Sequence, residues 1–134
     1  MVSGRRLTLS RALVERVVRS VLRAERRHAL ISVTFLGRDS MRRLNAEHMG
    51  HDHPTDVLTF ALTDPAGSRV GDVYICAWVA GREARARGIS LREELIRLIV
   101  HGTLHALGRE HPEGADRTRS AMWRRQERYV EALA

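Results

Sequence analysis

The sequence predicts an α+β fold: a single domain over residues 1–134, with a small mixed sheet of about four strands packed among several helices. Three observations lead there. Runs rich in β-branched residues fall at 30–36, 56–63 and 69–78, and the last two are separated only by the turn-forming "DPAGS" of 64–68. Apolar residues at helical spacing occur before, between and after these runs. A chain of 134 residues, 43% of them hydrophobic, is long enough to bury one core, and no repeat, low-complexity tract or linker divides it.

Each element follows from its local sequence. Residues 11–27 form an amphipathic helix with Leu13, Val14, Val17, Val18, Val21 and Leu22 on one face. "LISVTFL" at 30–36 is a strand, and Asp39 or Ser40 then caps a short helix in "RDSMRRLNAEH". The polar loop "MGHDHP" leads into an antiparallel hairpin, "DVLTFALT" and "RVGDVYICAW". A helix over 78–87 stops at Gly88, and Ser90 with Glu93 makes an S-x-x-E box that opens the next one. That helix runs through "LREELIRLIVHGTLHAL" to Gly108, and a last helix covers about 116–132.

Charge narrows the partners. Net charge is +7, the isoelectric point is about 11.2, and all 23 basic residues are arginine. A GC-rich genome explains arginine in place of lysine, but not the excess of bases over acids. The planar guanidinium fork suits phosphate, so a polyanion is an expected partner. The lone Cys76 makes no internal disulfide, and no apolar run has the length of a signal peptide core or a membrane span. A cytoplasmic protein that does not engage membranes is expected.

The chemistry is concentrated in "HGTLHALGREH", residues 101–111. His101 and His105 are four apart on a helix and project from one face. Gly108 allows a sharp turn that returns His111 to the same point. Three neutral imidazoles leave a fourth position open, the layout of a catalytic zinc, although nickel, copper and iron also accept such ligands. The histidines could instead be ordinary core or surface residues bonded to backbone groups. In H-E-x-x-H proteases a glutamate follows the first histidine as general base; here Gly102 stands there and cannot take a proton. Glycine in mid-helix costs about 1 kcal/mol, which close packing against the sheet would offset. Candidate acids for catalysis are Glu110 and Glu113 and, if the polar loop reaches the site, Asp52 and Asp56; each also suits a solvated or capping carboxylate.

These residues carry a resemblance to the YbeY family of bacterial rRNA-maturation endoribonucleases. "HGTLHALGREH" is similar to the family's H-G-x-L-H-L-x-G-Y-D-H at all three histidines, both glycines and Leu104. "LNAEHMGHDHPTDVLTF" at 44–60 resembles L-N-x-x-Y-R-x-x-D-x-x-T-D-V-L-S-F, and "GDVYI" at 71–75 resembles the G-D-I-x-I strand. The resemblance implies one zinc held by His101, His105 and His111. It also implies cleavage of single-stranded RNA, rRNA end processing (notably of the small subunit), ribosome quality control, and contact with the ribosome or its small-subunit proteins. Asn45, Asp52, Thr55 and Asp56 match the second block, which lies near the family's cleft, so Asn45 is a substrate-binding candidate; Thr55 and Asp56 could equally cap or turn the chain.

The departures matter too. Met49 stands where the family has an arginine and His48 where it has a tyrosine, and a thioether cannot stabilise a phosphorane-like transition state. Arg42, Arg43 or His51 could take over the phosphate contact. His51 and His53 flank Asp52 as a second metal-like cluster or simply a polar loop. Trp78 and Trp123 could stack on bases, but with six aromatics in the chain both are expected in the core. Arginines 82, 85 and 87, and 117, 119, 124, 125 and 128, make phosphate-binding faces or solvated helix surfaces. Two other functions compete: a non-catalytic, zinc-containing ribosome-assembly factor, favoured by Met49, and a metzincin-like peptidase, disfavoured by Gly102.

Overall fold

A computed structural model describes residues 2–3, 9–108 and 121–134. In chain order the elements are β1 (Val2–Ser3), α1 (Arg11–Glu25), β2 (Ala29–Leu36), α2 (Arg38–Met49), β3 (Val57–Thr63), β4 (Arg69–Cys76), α3 (Ala77–Arg87), α4 (Leu91–Ala106) and α5 (Ala121–Leu133). The sheet is mixed, with strand order β1-β2-β4-β3. β2 runs parallel to β4, with Val33 opposite Val73, and the expected β3–β4 hairpin is antiparallel, with Thr59 opposite Val73. The "DPAGS" turn closes through Asp64, whose Oδ1 accepts from the backbone N–H groups of Ala66 and Ser68 at 3.0 and 2.8 Å.

Strand alternation turns Val33, Phe35, Val73 and Ile75 inward, where they meet Val14, Val17 and Val21 of α1. α4 crosses this layer and is buried nearly all round: Leu95, Ile96, Leu98, Ile99, Val100 and Leu104 all join the core. Burial of each such side chain stabilises by about 1.5–3 kcal/mol, which is why the histidine segment has a fixed place. The serine half of the S-x-x-E box forms, with the Glu93 N–H donating to Ser90 Oγ at 3.0 Å. The Glu93 side chain does not turn back to the cap; it accepts from Arg97 at 3.1 Å.

Several boundaries differ from the expectation. α1 ends at Glu25 because Arg26 adopts the left-handed conformation (φ 55°) and its N–H closes onto Arg23 O. α2 is a full 12 residues and starts after Gly37, which caps it without a side chain; Asp39 sits inside the first turn, where its charge favours the helix N-terminus. β4 ends at Cys76 and α3 follows directly. α5 begins at Ala121, while residues 116–120 of the expected helix lie outside the described residues. Trp78 is not a core residue: it is 43% exposed, with the Arg38 and Arg82 guanidiniums 5.2 and 4.9 Å from its ring centroid. Trp123 is half-buried.

Candidate functional site

The glycine after the first histidine has a packing explanation. A Cβ on Gly102 would lie 2.5 Å from Val73 Cγ1, 3.0 Å from Val73 Cγ2 and 3.2 Å from Thr59 Oγ1. One turn further on the relation is reversed: a Cβ on Gly71 of β4 would meet the Cβ of Ala106 at 2.5 Å. Helix and strand therefore touch backbone to side chain at two points, and position 102 faces the sheet. A glutamate there would be driven into β4 and β3.

His101 and His105 are half-buried, and their ring centroids are 4.8 Å apart. His101 Nδ1 lies 2.8 Å from Gln126 Oε1 of α5. The Gln126 amide is oriented by its other end, since Nε2 donates to Glu127 Oε2 at 3.1 Å and a carboxylate can only accept. An amide oxygen can only accept, so this contact requires the tautomer in which His101 Nδ1 carries the proton. Glu127 is held in turn by a bidentate pair from Arg97, Nε and Nη2 both at 2.9 Å. Burial pushes the Glu127 carboxyl up, but the hydrogen bonds from Arg97 and Gln126 and the charges of Arg97 and Arg87 outweigh it, so its pKa falls below the ordinary value.

Beside His101 a depression of about 300 Å³ opens between α3, α4, α5 and the start of β3, and Asp56, Glu83 and Glu94 line it. Burial raises the Asp56 pKa first, the charges of Glu94 and Glu83 raise it further, and the Val57 backbone N–H lowers it. Glu94 is itself buried and paired with both Arg87 and Arg97. Asp56 is therefore disposed to keep its proton more readily than an ordinary exposed aspartate.

The chain matches the family model described as Endoribonuclease YbeY over residues 5–134. The chain belongs to the YbeY family. It is 36% identical to the Endoribonuclease YbeY of Chlorobium luteolum over 129 residues, covering 96% of this chain and 92% of that protein. To that of Bordetella petrii it is 43% identical over 97 residues, 72% of this chain but 63% of the relative's length. The solution structure of a Thermotoga maritima protein superposes with a TM-score of 0.70 at 27% identity, covering 99% of this chain and 89% of the other.

The YbeY-like residues fall into place unequally. His101 and His105 are brought together, whereas His111, Glu110 and Glu113 lie outside the described residues. Among the described residues, no group of three histidine, cysteine or carboxylate side chains converges in a metal-ligand arrangement. The two histidines still fit a metal by type and placement: both are imidazoles, and their ring centroids stand 4.8 Å apart on one face of α4. Asp52 and Arg42 are exposed and bound to each other at 2.8 Å, and Arg43 leans on Ser40 Oγ at 3.4 Å. Asn45 is buried, and its Nδ2 donates to His53 O at 2.8 Å, which pins the 50–56 loop. Thr55 Oγ1 donates to Asp56 Oδ1 at 3.4 Å. Met49 ends α2 with 53% exposure, and the His48 ring packs edge-on to Phe60 at 5.2 Å. Of the expected phosphate-binding arginines, Arg87 pairs with Glu94 and Arg125 with Glu25.

No motif marks Gln126, Glu127 and Arg97 as site residues, yet the sequence carries one signal for them. Gln126 sits between Met122 and Val130 at four-residue spacing, a polar residue on the buried stripe of α5. A buried amide needs partners, and here one of them is a histidine.

Proposed function

We propose that this chain is a zinc-dependent, single-strand-specific endoribonuclease of the cytoplasm. It acts in rRNA maturation, including processing of the small-subunit rRNA 3' end, and in ribosome quality control, in contact with ribosomal small-subunit proteins. The observation that carries the reading is the His101–His105 pair with the His101 tautomer fixed through Gln126 and Glu127. His101, His105 and His111 would hold the metal, with residues 1–134 as one catalytic domain. When bound, zinc supplies Lewis acidity and a lowered pKa for bound water.

The chain's own residues do the rest. Gln126 orients the first imidazole, an outer partner of the kind that typically tunes metal affinity 10- to 100-fold. Asp56 lies on the same depression as His101, and burial with the nearby Glu94 and Glu83 charges raises its pKa, which suits it to donate a proton to a leaving oxygen. Exposed arginines attract the RNA backbone, so binding should weaken steeply with salt. The test is cleavage of a single-stranded rRNA fragment, with a chelator control and a generic peptide library in parallel. Metal-dependent RNA cleavage with intact peptides is the expected result; peptide cleavage without effect on RNA would overturn it.

One observation favours a second reading, a zinc-containing assembly factor without turnover. Met49 brings no guanidinium to the exposed end of α2. Tight RNA binding without cleavage in the natural sequence, with cleavage gained in Met49→Arg, would select this reading.

A further inference from the structure

A second concave surface lies where the C-terminal end of α1, the start of β2 and the β3–β4 turn meet. It encloses about 830 Å³, and Arg19, Arg23, Arg27, His28 and Arg69 line it against a single carboxylate, Asp64. That carboxylate is engaged by its own turn, accepting from Ala66 and Ser68. Arg23, Arg27 and His28 have no side-chain hydrogen bond or ion pair among the described residues. Arg19 reaches only the exposed Glu15, at 3.7 Å. Some arginines elsewhere are committed internally, Arg87 to Glu94, Arg97 to Glu127 and Arg125 to Glu25, and what sets the basin apart is that several line one concave surface. Like charges four residues apart on a helix repel one another, so this basin gathers positive charge that the fold itself does not neutralise.

We propose that the basin binds the phosphodiester backbone of single-stranded RNA, as an anchoring site separate from the histidine cleft. The proposal rests on the RNA-directed function above and adds the place where the strand is held. A helical rise of 1.5 Å per residue sets Arg19 and Arg23 about 6 Å apart along α1, comparable to the spacing of neighbouring phosphates in an extended strand. Guanidinium forks present paired donors to phosphate oxygens. Leu22 and the 71%-exposed Leu30 give the bases an apolar surface between the arginines. Arg69 fixes the basin to the catalytic helix, because its Nη1 donates to Ala106 O at 3.2 Å, one residue beyond His105. A strand seated on the arginines is thereby held beside the end of α4.

The experiment measures binding of a labelled oligouridylate by fluorescence anisotropy across a series of salt concentrations. It compares the natural protein, Arg23→Gln/Arg27→Gln, and a control of equal charge at two exposed arginines outside the basin, Arg11→Gln/Arg92→Gln. Each phosphate contact to a single strand contributes about 0.7 to the slope of log K against log salt. The basin variant should lose about 1.4 of slope, with affinity at low salt down about tenfold, while the control stays near the natural value. Thermal unfolding of both variants checks that the fold persists. Equal losses in the two variants, or no loss in the basin variant, would overturn the proposal and leave the RNA function standing. No RNA binding by the natural protein would overturn both. Binding of polyglutamate but not RNA, lost in the basin variant, would make the basin a site for an acidic protein instead.

Discussion

Replacing Gly102 with alanine sets two effects of known size against each other, and the structure decides the sign. Helix propensity alone favours alanine by about 1 kcal/mol. The new Cβ, however, would stand 2.5 Å from Val73 Cγ1 and 3.2 Å from Thr59 Oγ1, whereas carbon atoms pack best at about 3.5–4.0 Å. Val73 is 1% exposed and β-branched, so it has little freedom to rotate away. Overpacking of this kind costs about 1–3 kcal/mol, which leaves a net destabilisation of up to about 2 kcal/mol. For a chain of this size that is a fall in Tm of several degrees, at about 3–5 °C per kcal/mol. Urea denaturation followed by circular dichroism would measure it, together with Val73→Ala and the double variant. Val73→Ala removes both Cγ contacts, so the double variant should lose less than the sum of the singles, by about 0.5–3 kcal/mol. Stabilisation by Gly102→Ala, or strict additivity, would refute the packing account of the missing glutamate.

Other consequences follow from the polar shell. Gln126→Leu should lower zinc affinity about 10- to 100-fold in competition with a chromophoric chelator; unchanged affinity would remove Gln126 from the site. Glu127 has a folded-state pKa below its ordinary 4.5, so its contribution is present above that pH and is lost as pH falls through the folded value. The stability difference between the natural protein and Glu127→Gln should accordingly shrink on acidification. Asp56 has the opposite sign: its pKa is raised from 3.8, so Asp56→Asn should gain stability relative to the natural protein as pH rises through the folded value. Flat difference profiles from chemical denaturation at a series of pH values would contradict both. Asn45→Ala leaves His53 O without its donor and should cost about 1–3 kcal/mol, seen as a lower denaturation midpoint.

Much of this was legible in the sequence because the relevant signals are local. The hairpin was marked by β-branched runs around "DPAGS", and Ser90 and Gly88 marked helix ends through backbone groups a few residues away. The His101–His105 pairing follows from helical periodicity alone, and Gly102 could be assigned to close packing because glycine in a buried helix needs some such reason. Contacts between elements distant in the chain were not legible. Nothing local states that Gln126 meets His101 across 25 residues, or that Glu127 meets Arg97 across 30. Trp78 was misplaced because its hydrophobicity pointed inward, whereas Arg38 and Arg82 cover its ring at the surface. Arg42 and Asp52, candidates for separate roles, are partners of each other because a turn after α2 brings them together.

The most direct test of the account is the metal content of the purified, untagged protein beside His105→Ala, with both samples then assayed on a single-stranded rRNA fragment. The account predicts about one zinc per chain and cleavage in the natural protein, and loss of both in the variant. Absence of metal from both proteins would contradict it, and zinc without cleavage in either would leave the assembly-factor reading in its place.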